Sequence, residues 1–165
     1  MIRKALCLAS VVAVAGCTAG DLLDGPAVSQ TVGEPSQVEL VRVIDGDTIV
    51  VDDGGGDQRV RLLGIDTPEI SHGNGEADEP CGQEAREMTE DLAAGGPVEL
   101  RSDDAQPEQD RYGRTLAYVE VDGTDLSAEL LEAGLAEIYH AADDIARFDE
   151  YEALYSQAPR PECAQ

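Results

Sequence analysis

The chain has no tryptophan, one phenylalanine and, past position 4, no lysine. An aromatic-rich interior is therefore excluded, and the core must come from Val, Leu, Ile and Ala. The 42% hydrophobic content supplies those residues and excludes wholesale disorder. Basic side chains are scarce: 11 Lys and Arg stand against 35 Asp and Glu, a formal net charge of −24 scattered along the chain. Such a surface opposes long-range attraction of polyanions in dilute buffer. It suits brine, where the Debye length falls to about 3 Å at 1 M salt and like charges stop repelling across the surface. The expectation is a halophilic adaptation; a cation-sequestering surface and a protein that avoids polyanions are the alternatives. No internal repeat is visible, and 165 residues fit one domain of ordinary size.

The N-terminal segment reads as a targeting sequence. Arg3 and Lys4 precede an apolar run from Ala5 to Ala15, too short to span a bilayer as a helix. Val14-Ala15-Gly16-Cys17 resembles a lipobox, in which the cysteine becomes the lipid-modified first residue of an exported lipoprotein. The expected organisation is a signal peptide over 1–16, a lipid anchor at Cys17, a flexible Gly, Pro and Ser-containing tether over 17–36 and a domain over 37–165. The protein then sits on the outer face of the cell membrane, or is secreted if cleavage falls nearby. With Cys7 in the leader and Cys17 lipidated, Cys81 and Cys163 remain and read as a disulfide. Zinc is disfavoured, since neither a Cys-x-x-Cys nor a His-x-x-x-His spacing occurs.

Within the domain, β-branched runs predict strands over Val38–Ile44, Thr48–Val51 and Arg59–Ile65. Helical spacing of Ala85, Met88, Leu92 and Ala93 predicts a helix from about Gly82 to Ala94, stopped by Gly95-Gly96-Pro97. Strands over Val98–Arg101 and Thr115–Val121 follow, then a helix with Leu126, Leu130 and Leu131 closed by Gly134, and a last helix marked by Ile145, Phe148, Tyr151, Leu154 and Tyr155. This order is a β-rich α+β chain whose short strands suit a small closed barrel of five strands.

Residues 45–69 carry the chemistry. Asp47, Asp66 and Glu69 supply hard oxygen ligands for a Ca²⁺-like ion plus a base, and Arg61 suits an anion such as phosphate. The combination points to metal-assisted work on a phosphate ester. Taken singly, each acid also reads as a turn cap, because Asp-Gly and Asp-Thr-Pro are turn signals.

Val43-Ile44-Asp45-Gly46-Asp47-Thr48, then Arg61-Leu62-Leu63-Gly64-Ile65-Asp66-Thr67-Pro68-Glu69, then Asp110-Arg111-Tyr112-Gly113-Arg114 resemble, in order and spacing, the staphylococcal nuclease-like (thermonuclease) family. The resemblance runs from about Val38 to Tyr155. It implies an OB-fold barrel with three helices and a Ca²⁺-dependent endonuclease acting on DNA and RNA, leaving 3′-phosphate ends; a monomer is expected. Asp47 and Asp66 match the calcium carboxylates, and Thr67 matches a residue lending its backbone carbonyl. Glu69 matches the residue that orients or deprotonates the attacking water, and Arg61 and Arg114 match those that hold the scissile phosphate. Tyr112 matches a nucleotide-phosphate contact, and Arg111 is a candidate second one. Tyr139 or Tyr118 could stack on a base, although strand tyrosines are usually core. His72 and His140 receive no role. A catalytically reduced OB-fold module that only binds nucleic acid is the competing expectation.

Two features stand apart from the family pattern. The loop 103–110 brings four acids, Asp103, Asp104, Glu108 and Asp110, near Arg114 in sequence. On an ideal strand Arg61 and Asp66 also have opposite parity, so they meet only if the chain bends, with Gly64 the candidate bend.

Overall fold

The computed structural model describes residues 31–71, 73, 75, 77–142 and 144–164. The leader, the lipid-site residue Cys17, the tether up to residue 30 and His72 lie outside the described residues. Residues 31–35, grouped with the tether in sequence, lie against the barrel: Val32 bridges Asp103, and the Gly33 amide donates to the Ser102 carbonyl at 2.9 Å.

Five strands make the barrel: β1 (Ser36–Asp45), β2 (Thr48–Asp52), β3 (Asp57–Leu62), β5 (Val98–Arg101) and β6 (Thr115–Val121), with the two-residue β4 (Ile65–Asp66) between β3 and β5. The order is β3-β2-β1-β5-β6, and a parallel β3–β6 pairing, Val60 with Thr115 and Arg61 with Leu116, closes the ring. Closure leaves none of the five with two open edges. The fold is a five-stranded OB-type barrel of the α+β class with three helices: α1 (Gly82–Ala93), α2 (Leu126–Glu132) and α3 (Phe148–Gln157). A short β7 (Thr124–Asp125) leads into α2, where the Asp125 carboxylate caps the helix by accepting from the Ser127 amide at 2.9 Å. Gly134, at φ +71°, ends the turn after α2 as its sequence position suggests.

The expected third strand, 59–65, is broken. It stops at Leu62, turns through Leu63 and Gly64, and resumes as β4, which pairs with β8 (Glu137–Ile138) rather than with the barrel. Gly64 adopts φ +80°, and a side chain there would meet Ile145 at 2.5 Å and the Tyr151 ring at 2.8 Å. Both the left-handed backbone and the close approach of α3 demand glycine. The last helix also starts three residues later than its marker Ile145, which is buried ahead of it.

The core is aliphatic, as the composition requires: Ile49, Val51, Val60, Leu62, Val119, Leu126, Leu130 and Leu131 are all but inaccessible. Two tyrosines join it, Tyr118 and Tyr151, with ring centroids 6.3 Å apart edge to face. Cys81 and Cys163 are bonded, with Cα atoms 5.2 Å apart and 82 positions between them. Closing a loop of that length is worth about 4 to 5 kcal/mol in the chain-entropy account. The bond ties the C-terminal segment to the start of α1.

Candidate active site

The β1–β2 hairpin turns on Gly46 and Asp47, since Asp45 and Thr48 are partners across the ladder. Gly46 is dictated by crowding: a Cβ would lie 2.8 Å from both the Ala85 Cβ and the Thr67 Cγ2. The turn thereby drives Asp47 into the interior, where it is 3% exposed. Its Oδ2 accepts from the Thr67 amide at 2.8 Å, its Oδ1 accepts from the Thr48 hydroxyl at 3.0 Å, and it pairs with Arg61. Asp47 is both the turn acid and a site acid.

Arg61 lies between two carboxylates. Besides Asp47 it bonds Asp66 at 2.5 Å, and its Nη2 donates to the Ile65 carbonyl at 3.0 Å. The bend at Gly64 brings Asp66 round to meet it, resolving the opposite parity of the two residues. Arg61 is largely buried while Asp66 stays more than half exposed, so the pair spans from the interior to solvent.

Arg114 is set by its own turn. Asp110 accepts from the Arg114 amide at 3.0 Å, from its Nε at 2.7 Å and from the Tyr112 amide at 2.8 Å, while Gly113 takes φ +76°. Burial pushes the Asp110 carboxyl up, but these bonds from Arg114 and Tyr112 outweigh it and hold it below the usual range. Among the described residues the two Nη groups of Arg114 have no hydrogen-bond partner. Tyr112, two-thirds exposed, lies 4.7 Å from the Arg111 guanidinium and 5.5 Å from that of Arg114.

The acidic loop does not crowd Arg114 as its sequence suggests. Asp103 turns inward, where it accepts from Tyr118 at 2.5 Å, the Ala146 amide at 2.7 Å and the Ala105 amide at 2.8 Å. Asp104 pairs with Thr31. Only Asp110 reaches the arginine. Tyr118 is wholly buried and no base can stack on it, whereas Tyr139 is 46% exposed with its ring 6.0 Å from Arg61.

Arg61, Asp66, Glu69, Arg111, Tyr112, Arg114 and Tyr139 all line one cleft of about 520 Å³, with Asp47 and Thr67 set behind Arg61. Glu69 is exposed at its edge, and its carboxyl is raised above the ordinary range. Burial is the first cause and the charge of Asp45 the second; Asp66 and Glu79 add to the rise, and Arg61 opposes it. Two participants carried no assigned role in the sequence reading. Asp45, 8% exposed, is detectable only as the first acid of Asp-Gly-Asp, and Asp110 appears there as one loop acid among four.

Among the described residues, no three carboxylate, imidazole or thiolate groups converge on one point. The site nevertheless fits a hard divalent cation. Its donors are all oxygens: Asp47 and Asp66 share the Arg61 guanidinium, and Glu69 lies in the field of Asp45, Asp66 and Arg61, so negative charge is in excess. The Thr67 hydroxyl is buried without a hydrogen-bond partner among the described residues, a further oxygen at the same place.

A closed OB-type barrel carrying paired carboxylates and two arginines on one cleft has the chemistry to hold an anion beside a hard cation. The comparisons narrow the class. Residues 59–160 match the model of the staphylococcal nuclease homologue family. The chain is similar to a thermonuclease of Staphylococcus intermedius, 37% identical over 83% of this chain and 78% of the relative. It is also similar to a thermonuclease of Staphylococcus hyicus, 43% identical over 59% of this chain and 56% of the relative. Endonuclease YncB of Bacillus subtilis is 39% identical over 70% of this chain and 57% of its own length. The chain thus spans little more than half of two of these relatives. It belongs to the staphylococcal nuclease homologue family.

Proposed function

We propose that the chain is a calcium-dependent nuclease that hydrolyses phosphodiester bonds of DNA and RNA outside the cell. The observation that carries this reading is the cleft itself: Arg61 and Arg114 line one wall system with Asp66 and Glu69, and Asp47 stands directly behind. The names of the relatives, two thermonucleases and an endonuclease, support it.

Asp47, Asp66 and the Thr67 carbonyl are the groups that would hold Ca²⁺, which when bound supplies positive charge beside the phosphoryl oxygens. Glu69 takes the proton of the attacking water, and its raised proton affinity suits that task. The water oxygen bonds phosphorus as the bond to the 5′-oxygen breaks; that oxygen takes a proton from solvent, leaving a 3′-phosphate. Arg61 and Arg114 hold the non-bridging oxygens and offset the charge that grows in the five-coordinate transition state. The Nη groups of Arg114, without a hydrogen-bond partner among the described residues, are suited to this. Tyr112 and Arg111, at the cleft mouth, are the proposed contacts to a neighbouring phosphate.

The same proposal includes export by the leader over 1–16, lipid attachment at Cys17, a monomeric state and adaptation to high salt. The Cys81–Cys163 bond suits an oxidising compartment, and the charge of −24 suits brine. The test is cleavage of single-stranded and plasmid DNA by the purified protein in molar salt, with Ca²⁺ or with chelator. Cutting with Ca²⁺ and none with chelator is expected. A protein that binds the DNA yet cuts in no condition replaces this reading with the pure binding module.

A further inference from the structure

The site fixes its charged groups unequally. Arg61, Arg114 and Asp47 are each aimed by hydrogen bonds to their own side chains. Among the described residues nothing hydrogen-bonds the Glu69 carboxylate, so its aim depends on where the backbone carries it.

That backbone is gripped at both polar atoms by one residue. The Glu69 amide donates to the Glu79 Oε2 at 3.0 Å, and the Glu79 amide donates to the Glu69 carbonyl at 2.9 Å. Glu79 is in turn joined to the first turn of α1, where the Gly82 amide donates to its carbonyl at 3.0 Å. Helix α1 presses on the same segment: a Cβ on Gly82 would lie 3.0 Å from the Glu69 carbonyl oxygen and 3.1 Å from that of Pro68. Cys81, between Glu79 and the helix, is fixed by its bond to Cys163. On the other side, the Ser71 amide donates to Asp78 at 2.9 Å, so adjacent acids hold alternate amides of the segment. Among the described residues that line the cleft, Glu69 is present and Glu79 is not.

We propose that Glu79 is a positioning residue for Glu69, a two-point clamp that sets the direction of the general base; the proposal rests on the role of Glu69 given above. Misplacing a catalytic group by about 1 Å costs up to about a hundredfold in rate. A clamp acting on the base alone lowers turnover and leaves substrate affinity intact, because the arginines are held independently.

The experiment compares the full chain with Glu79→Ala, Glu79→Gln, Glu69→Gln and the Glu69→Gln/Glu79→Ala double variant. In Glu79→Ala, kcat falls about ten- to a hundredfold with KM within about twofold and the melting temperature nearly unchanged. Glu79→Gln restores most of that loss, since its amide oxygen still accepts from Glu69. The double variant is no slower than Glu69→Gln alone. Hydrogen exchange at the Glu69 amide quickens in Glu79→Ala and stays slow in Glu79→Gln. Full kcat in Glu79→Ala while the native chain cuts overturns the clamp and leaves the nuclease reading intact. Equal loss in Ala and Gln variants, or a further loss in the double variant, also overturns it. A native chain that cuts nothing overturns the nuclease reading and the positioning role together.

Discussion

The molecule contains two clusters built from the same residue types, one at the cleft and one behind the barrel. In the rear cluster Arg147 pairs with Glu120 and Asp125 and lies 4.4 Å from the Tyr118 ring. Tyr151 donates to Asp125 at 2.6 Å, and Arg101 donates to Glu120 at 2.8 Å. Burial works against the charges of Glu120 and Arg147, yet their partners overcome it. Glu120 is held below its ordinary range by Arg147 and Arg101, and Arg147 is held above its own by Glu120 and Asp125. At the cleft the balance is reversed. Burial and neighbouring acids push Glu69 toward its neutral form, while both Nη groups of Arg114 stay without a hydrogen-bond partner among the described residues. A saturated cluster fastens β6, β7 and α3 together; an unsaturated one has charge to offer a ligand.

Substitutions that separate the two clusters give the sharpest tests. Arg114→Ala should reduce cleavage by about 10² to 10³-fold, the scale for one electrostatic donor in a transition state, with little change in melting temperature. Arg147→Ala should do the reverse, costing up to about 3 kcal/mol in denaturant unfolding by leaving Glu120 to Arg101 alone and Asp125 with no cationic partner among the described residues, while folded molecules keep near-native kcat. If Arg147→Ala abolishes turnover in the folded state, the division between the clusters fails. The smallest effect is in acid. Because the folded pKa of Glu120 is depressed, its contribution is present above the unfolded value and lost as pH falls through the folded one. The stability gap between the native chain and Glu120→Gln should therefore shrink as pH falls below about 4. A constant gap across that range would show that the network acts through shape rather than charge.

The contrast was only half legible in the sequence. Strands, helices and the three motifs could be read because β-branched runs and helical spacing extend over several residues, and because acids and arginines in a fixed order resemble a family. The pairing of Ile65–Asp66 with Glu137–Ile138 could not, since two-residue strands carry no periodicity. Glycine 64 marked a bend, but that the bend would carry Asp66 to Arg61 needed the packing of Ile145 and Tyr151 against it. The acids of the loop 103–110 looked alike, and only tertiary contacts separate buried Asp103, which anchors Tyr118, from Asp110, which orients Arg114. The rear cluster was invisible for the same reason: Arg101, Glu120, Asp125 and Arg147 are spread over three elements and a loop, with no local spacing to connect them.

The parallel seam between β3 and β6 joins residues about 55 positions apart, and it sets the two arginine-bearing segments side by side. Arg61 is on one side of the seam and Arg114 immediately precedes the other. Contacts so distant in the chain form late, after local hairpins and helices have paid the cost of closing the intervening loop. The cleft therefore rests on a long-range pairing, and the two arginines share it once the ring is shut. On the proposed nuclease reading, a chain whose ring has not shut lacks the paired arginines that cleavage requires.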